Sequence, residues 1–165
     1  MIRRKRFVVA GAALLVVACA LAWLGSGGWF AEPIPTLSAA EISEAQASGS
    51  KTRGDKPLLL VDVRSEREIA VSMIPGAISK AQYERAPERY ADYRIVPYCT
   101  LGYRSGRYTR RLLDAGRDAV NFEGSIMAWV DAGFPLETPS GEPTRRVHTW
   151  SRVFSVPDAY VQVVN

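Results

Sequence analysis

The feature that most constrains the fold is a nearly continuous apolar run, PLLLVDV at residues 57–63. A strand that is covered on one face alternates apolar and polar residues, whereas a strand covered on both faces is apolar at nearly every position. Strands of the second kind belong to parallel sheets that carry helices on both faces. The run therefore predicts a central strand of an α/β domain.

The segments around this run alternate between short helices and short strands. Capping-box patterns at Ser38-x-x-Glu41 and Ser65-x-x-Glu68 predict the starts of two helices. Further helices are predicted at 105–115, ended by Gly116, and at 126–132, and further strands at 94–98, at 119–122 and after the turn at 74–78. This order indicates an α/β domain with a mainly parallel sheet over residues 35–140, followed by an extension at 141–165.

The N-terminus predicts a membrane segment. Residues 7–24, FVVAGAALLVVACALAWL, form an uncharged run of 18 positions. A helix of that length spans about 27 Å, close to a hydrocarbon core of about 30 Å. Basic residues precede it at positions 3–6, and such residues on a short flank stay in the cytoplasm. We therefore expect a transmembrane helix within residues 1–31, which anchors a single-pass protein whose domain is periplasmic or otherwise extracytoplasmic.

Two other interpretations of this segment stay open. Small residues around Ala18 fit the cleavage site of a secretory signal peptide. The stretch VVAC, which ends at Cys19, resembles a lipobox, in which the cysteine is lipidated and becomes the new N-terminus. The apolar run continues past Cys19 to Leu24, which favours the uncleaved anchor. All three interpretations export the domain.

The charge distribution argues against a nucleic-acid partner. The formal net charge is +4, and the four basic residues at positions 3–6 account for it. The rest of the chain holds 17 basic and 17 acidic residues and shows no basic stripe. Nucleic-acid binding depends on such a stripe, so we expect none here.

A short loop, YCTLGYRSGR at 98–107, carries the candidate chemistry. Cys99 follows a predicted strand and precedes the helix predicted from Ser105, and active sites of open α/β sheets lie at this carboxyl edge. Loop N–H groups, the helix N-terminus and the guanidinium of Arg104 would favour thiolate over thiol. Gly102 allows the loop to turn tightly. We interpret Cys99 as a nucleophile that carries a transferred group.

The alternative interpretation of Cys99 is a buried structural residue. Arg107 adds a second cation near the loop and, with Arg104, favours the nucleophile. The single histidine, His148, lies in the extension, where we expect an exposed side chain. We therefore expect neither a Cys–His pair nor a metal site, and we expect no cofactor.

Four segments resemble the rhodanese family of sulfurtransferases, and they occur in the family's order. They are LLLVDVRSEREI (58–69), IPGAI (74–78), YCTLGYRS (98–105) and NFEGSIMAWVDAGFPL (121–136). The third resembles the six-residue active-site loop of the family, Cys-x-x-Gly-x-Arg. The resemblance implies a three-layer α/β domain with a mainly parallel central sheet.

The resemblance also implies a mechanism. Cys99 would take sulfane sulfur from a donor such as thiosulfate as a persulfide, and would pass it to an acceptor such as cyanide or a thiol. Asp62 and Arg64 would pair as structural support. The substrate-binding residues would be those of the loop, Thr100, Leu101, Gly102, Tyr103, Arg104 and Ser105. Cysteine phosphatases of this fold place Arg six residues after Cys, whereas Arg104 comes fifth, which favours sulfur over phosphate.

Two other functions are compatible with the same residues. The first alternative is a non-catalytic, membrane-tethered binding module, and the second is a redox sensor that uses the thiol of Cys99. The extension at 141–165 is too apolar to be simply disordered. It packs back on the domain, adds an edge strand, or docks on a protein partner or a membrane surface. The expected small-molecule partner is a sulfur-containing anion or a thiol.

Overall fold

A computed structural model of the chain describes residues 33–48 and 56–164. Strands and helices alternate through most of these ranges. The helices are α1 (Ala39–Ser48), α2 (Glu66–Val71), α3 (Lys80–Arg85), α4 (Tyr103–Asp114) and α5 (Ser125–Asp131), with a 3-10 helix at Pro87–Tyr90. The strands are β1 (Thr36–Leu37), β2 (Leu58–Asp62), β3 (Ile78–Ser79), β4 (Arg94–Tyr98), β5 (Asn121–Phe122), β6 (Leu136–Glu137), β7 (Pro143–Thr144), β8 (Arg146–His148) and β9 (Val161–Val163).

The central sheet is parallel. Strand β2 pairs with β3 on one side and with β4 along its whole length on the other. A parallel bridge between Ile95 and Ala119 connects β4 to the residues just before β5, and β5 pairs with β1. The strands therefore run in the order β3-β2-β4-β5-β1, and the predicted parallel α/β sheet is confirmed.

Hydrophobic clusters cover both faces of the sheet. Leu60 and Val96 pack into one cluster, with residues of α1 and α5. Leu59 and Ile95 pack into the other, with residues of α3 and α4. Neighbouring residues on a strand point to opposite faces, so the apolar run of β2 supplies both clusters. The sheet is the middle of three layers, as the sequence predicts.

Two helices begin earlier than their sequence patterns indicate. Helix α4 begins at Tyr103, two residues before the expected start, because Gly102 caps it with a φ of +104°. Helix α5 begins at Ser125, one residue early, after Gly124 with a φ of +72°. The two predicted capping boxes are present, and Ser38 N–H donates to Glu41 Oε2 at 2.8 Å in the first of them.

Pro97 lies inside β4, where its missing N–H would ordinarily interrupt a ladder. Ile95 N–H points toward β5 and donates to Asp118 at 2.9 Å. Alternate residues of a strand direct their N–H groups to the same side, so Pro97 also faces β5. The bridge to that side involves Ile95 alone, whereas the pairing with β2 includes Pro97. The ladder toward β5 therefore stops before Pro97, which has no N–H to continue it, and the pairing with β2 is unaffected.

The extension at 141–165 packs on the domain through its described residues. Strand β7 pairs antiparallel with β6, and β8 pairs parallel with β9. Val147 is fully buried in the same cluster as Leu60. The expectation of an exposed His148 is wrong, because its side chain is only 3% exposed. β8, which contains the histidine, packs against α2 and pairs with β9.

None of the helices in the described ranges combines the length and apolar character needed to cross a membrane. The anchor predicted at residues 7–24, with its transmembrane helix, lies outside those ranges.

Candidate active site

The loop from Cys99 to Gly102 joins the carboxyl end of β4 to the start of α4. Gly102 adopts a φ of +104° there, and its carbonyl accepts the N–H of Gly106 at 2.8 Å. The opposite side of the loop rests on α5. Ile126 N–H donates to the carbonyl of Cys99 at 3.2 Å, and Met127 N–H donates to that of Thr100 at 3.3 Å. The loop is therefore held at both sides by helix N-termini.

The sulfur of Cys99 lies inside this loop. The N–H of Gly102 donates to Sγ at 3.1 Å. The hydroxyl of Ser125 lies 3.9 Å from Sγ and accepts the N–H of Cys99 at 3.1 Å. Ser105 Oγ lies 3.4 Å from Ser125 Oγ, so two hydroxyls extend the polar surroundings of the sulfur. These donors can stabilise negative charge on sulfur.

The surroundings of Cys99 lower the pKa of its thiol. Burial by itself would raise that pKa. The N–H groups of Ser105, Gly102 and Leu101 and the hydroxyl of Ser105 together outweigh burial, and the pKa lies below the usual value. A buried cysteine without such donors would be inert, so this geometry favours a reactive thiol over a structural one.

Arg104 does not stand free in the site. Its guanidinium forms a bidentate ion pair with Glu68, with N–O distances of 2.6 and 2.8 Å, and also donates to Thr100 Oγ1 at 3.0 Å. Burial by itself would raise the pKa of Glu68, but hydrogen bonds from Arg104, Ser65 and Thr100 hold it well below its usual range. Glu68 is therefore ionised and compensates the charge of Arg104.

Asp62 and Arg64 form a second, fully buried ion pair beside the loop, with Nη2 at 2.6 Å from Oδ2. The same Nη2 donates to the carbonyl of Ser72 at 2.6 Å, and the guanidinium lies over the ring of Tyr98. Tyr98 in turn accepts the N–H of Ile74 at 3.2 Å through its hydroxyl. This network ties the end of β2 to the residue before Cys99.

A cavity of about 310 Å³ opens over Cys99. Thr100, Leu101, Tyr103 and Arg104 line it from the loop and the start of α4. The C-terminal extension also lines it, with Thr149, Trp150 and Phe154.

The structure brings the predicted loop residues together around the sulfur, but only one of the two predicted cations, Arg104, lines the cavity over Cys99. Arg107 lines a neighbouring cavity, which it shares with Arg104 and Lys80. The sequence interpretation missed two groups at the site. Ser125 lies 26 positions after Cys99, and no local pattern links them. The sequence pattern identifies Glu68 as part of a capping box, and the structure confirms this. The pattern does not reveal its contact with Arg104, which lies 36 positions later.

Comparison with known proteins identifies the family. The sequence matches the rhodanese-like domain family over residues 44–132. The match covers more than half of the chain, and the chain belongs to this family. The resemblance drawn from the four sequence segments is therefore confirmed.

Individual relatives agree with this assignment. A sulfurtransferase of Allochromatium vinosum is 32% identical over 102 residues, which are 59% of this chain and 95% of that protein. YtwF, a sulfurtransferase candidate of Bacillus subtilis, is 38% identical over 93 residues, which are 54% of this chain and 88% of that protein. These similarities support a rhodanese-type enzyme.

A solved structure from Rhodopseudomonas palustris is similar to 63% of this chain over 85% of its own length, with 30% identity and a TM-score of 0.52. That protein has no established function and is described as a possible tyrosine phosphatase.

Proposed function

We propose that the protein is a sulfurtransferase that carries sulfane sulfur on Cys99. The observation that supports this most directly is the N–H of Gly102 at 3.1 Å from the sulfur, in a loop whose donors lower the pKa of the thiol. The names of the two relatives agree with this reaction. Arg104 follows Cys99 by five positions, in a loop shorter than that of cysteine phosphatases, which favours sulfur over phosphate as the group transferred.

The first step uses a donor such as thiosulfate. The thiolate of Cys99 attacks the outer sulfur, a new S–S bond forms, and the original S–S bond of thiosulfate breaks. Its electron pair leaves with sulfite, and Cys99 keeps a persulfide anion. The N–H of Gly102 and the hydroxyls of Ser105 and Ser125 would stabilise the negative charge as it moves to the outer sulfur.

The second step returns the free thiolate. A nucleophile such as cyanide attacks the outer sulfur of the persulfide, and the bond to Sγ breaks with its electron pair on Cys99. The cavity over Cys99 gives the acceptor its path to the sulfur. Thr100, Leu101 and Tyr103 would contact the substrate from the loop side, with Arg104 and Ser105 completing the binding site.

We also propose that residues 7–24 anchor the chain in a membrane, with the domain on the extracytoplasmic side. The uncharged run and the basic residues before it support this proposal. Cell fractionation, with protease accessibility of the domain in intact cells and spheroplasts, tests it. Recovery of the chain in the soluble cytoplasmic fraction would contradict it.

Intact-mass spectrometry of the purified full chain tests the persulfide. We expect thiosulfate to add the mass of one sulfur atom, cyanide to remove it, and the Cys99→Ser variant to gain none. A folded wild-type chain that gains no sulfur from any sulfane donor would overturn the proposal. A gain of oxygen with peroxide, but no gain of sulfur, would instead indicate a redox sensor.

A further inference from the structure

The cavity over Cys99 has a wall that the rhodanese-like region does not supply. The family match ends at residue 132, whereas Trp150 and Phe154 come from the extension. Leu101 and Tyr103 of the active-site loop and of helix α4 line the same cavity. Four large apolar or aromatic side chains thus line the cavity that opens over the sulfur.

The wall is attached to the fold. Thr149 N–H donates to the carbonyl of Val163 at 3.1 Å, and Gln162 Nε2 donates to Thr149 Oγ1 at 2.7 Å. Trp150 N–H donates to Nδ1 of the buried His148 at 3.1 Å. Trp150 has a φ of +66°, a conformation that bulky residues rarely adopt without support from their surroundings. The loop after β8 therefore presents Trp150 in a defined conformation, although the side chain is 73% exposed.

The charge of the cavity does not match a small dianion. Among the residues that line it, Arg104 is the single cation, and Glu68 compensates that cation through two hydrogen bonds. Thr100 directs its hydroxyl to Glu68 as well, at 2.9 Å. A donor with two negative charges would approach the thiolate of Cys99 without an uncompensated cationic side chain in the cavity wall.

The size of the cavity leads to the same conclusion. A volume of about 310 Å³ lies at the lower end of the range of small-molecule pockets, roughly 300–1,000 Å³. Thiosulfate would leave much of this space hydrated and the aromatic wall wet. A donor with an organic group would bring apolar surface against that wall and release the water.

We infer that the cavity selects a small organic sulfane donor with an apolar, aromatic group, and that Trp150 and Phe154 form the wall on which this group packs. The inference rests on the proposed function and specifies its substrate class. An aryl thiosulfonate illustrates the step. The thiolate of Cys99 attacks its terminal sulfur, the bond from that sulfur to the sulfonyl group breaks, and the electron pair leaves with an aryl sulfinate. Cys99 retains the persulfide anion.

The test compares three donors on the full chain, with cyanide as acceptor: benzenethiosulfonate, methanethiosulfonate and thiosulfate. The first two share the leaving-group chemistry and the charge, and differ in the aromatic ring. We expect the Trp150→Ala/Phe154→Ala double variant to lower kcat/KM for benzenethiosulfonate by about tenfold or more. Its kcat/KM for methanethiosulfonate and thiosulfate should change by less than about threefold.

Val153→Ala is the matched control. Val153 belongs to the same loop and is 87% exposed, but it does not line the cavity. We expect this variant to have the wild-type kcat/KM for all three donors. An equal fall of kcat/KM for all three donors in the double variant would overturn the inference, because it would indicate a general disturbance of the site. Unchanged kinetics for benzenethiosulfonate would overturn it too.

A binding experiment separates this inference from the proposed function. Calorimetry of the full-length Cys99→Ser variant measures unreactive benzenesulfonate and methanesulfonate. Tighter binding of benzenesulfonate, lost when Trp150 and Phe154 become Ala, would support the aromatic wall even if no persulfide ever formed. Persulfide formation with thiosulfate, together with equal affinity for the two sulfonates, would overturn the inference about the aromatic wall and leave the sulfurtransferase proposal standing.

Discussion

Gly102→Ala gives a prediction that joins the stability of the fold to the chemistry of the thiol. Gly102 has a φ of +104°, beyond the left-handed region that other residues occasionally occupy. An added Cβ would meet nothing closer than Gly124 N at 3.8 Å, so there is space for it. The cost therefore arises from the backbone alone, and we expect a loss of about 1–2 kcal/mol in the free energy of unfolding.

The same substitution affects the sulfur. If the backbone relaxes toward a more favourable φ, the N–H of residue 102 turns away from Sγ, now 3.1 Å away. The loss of that donor raises the pKa of Cys99, because the N–H stabilises the thiolate more than the thiol. Relaxation would reduce the loss of stability and enlarge the change in pKa. At least one of the two effects must appear.

Gly106→Ala is the control. Gly106 lies in α4 with helical backbone, and an added Cβ there has no neighbour within 4 Å. Alanine should stabilise the helix by about 0.5–1 kcal/mol. The two variants should therefore differ by about 1.5–3 kcal/mol. Thermal unfolding measures this difference, and the rate of alkylation at Cys99 against pH, followed by mass spectrometry of its peptide, measures the pKa. Wild-type stability and wild-type thiol pKa in Gly102→Ala would refute the reasoning.

Three further predictions concern the charged groups of the site. Glu68→Gln removes the charge that Arg104 pairs with, and we expect denaturation at pH 7 to show a loss of about 1–3 kcal/mol. Because the pKa of Glu68 is depressed in the fold, its contribution is complete above about pH 4.3 and is lost as the pH falls further, so the stability of wild type and variant should converge in acid. A constant difference down to pH 2 would contradict this. Arg64→Ala leaves Asp62 buried without its partner, and we expect a loss of about 3–5 kcal/mol in the free energy of unfolding, or failure to fold. A free energy of unfolding in urea within about 1 kcal/mol of the wild-type value, as for a surface ion pair, would argue against a structural role. Finally, alkylation of Cys99 should reach half its maximal rate below about pH 8.5, the value for a free cysteine, and a higher midpoint would show that burial dominates.

The main elements of the fold follow from local patterns. The apolar run of β2, the two capping boxes and the helix ended by Gly116 all occur as predicted. Such patterns depend on contacts among near neighbours, which a sequence displays directly. The starts of α4 and α5 were displaced because Gly102 and Gly124 adopt positive φ values, which the sequence permits but does not require.

The extension shows where local patterns fail. Its apolar residues indicate that it packs on something, but they do not indicate which surface it packs on. The structure places Val147 in the core and buries His148, because β8 finds partners in α2 and β9. The residues around His148 give no sign that its side chain is buried, because the burial depends on a strand that begins 13 positions later.

The sequence by itself determined the class of fold and the nucleophile. A strand apolar at nearly every position requires a sheet covered on both faces, and Cys99 at the end of such a strand, with Gly102 and Arg104 after it, indicates a reactive loop. The tertiary structure decided which distant residues lie beside the loop. It compensates Arg104 with Glu68, 36 positions earlier, and adds Trp150, 51 positions after Cys99, to the lining of the cavity. Such placements depend on how the layers pack and not on neighbouring residues.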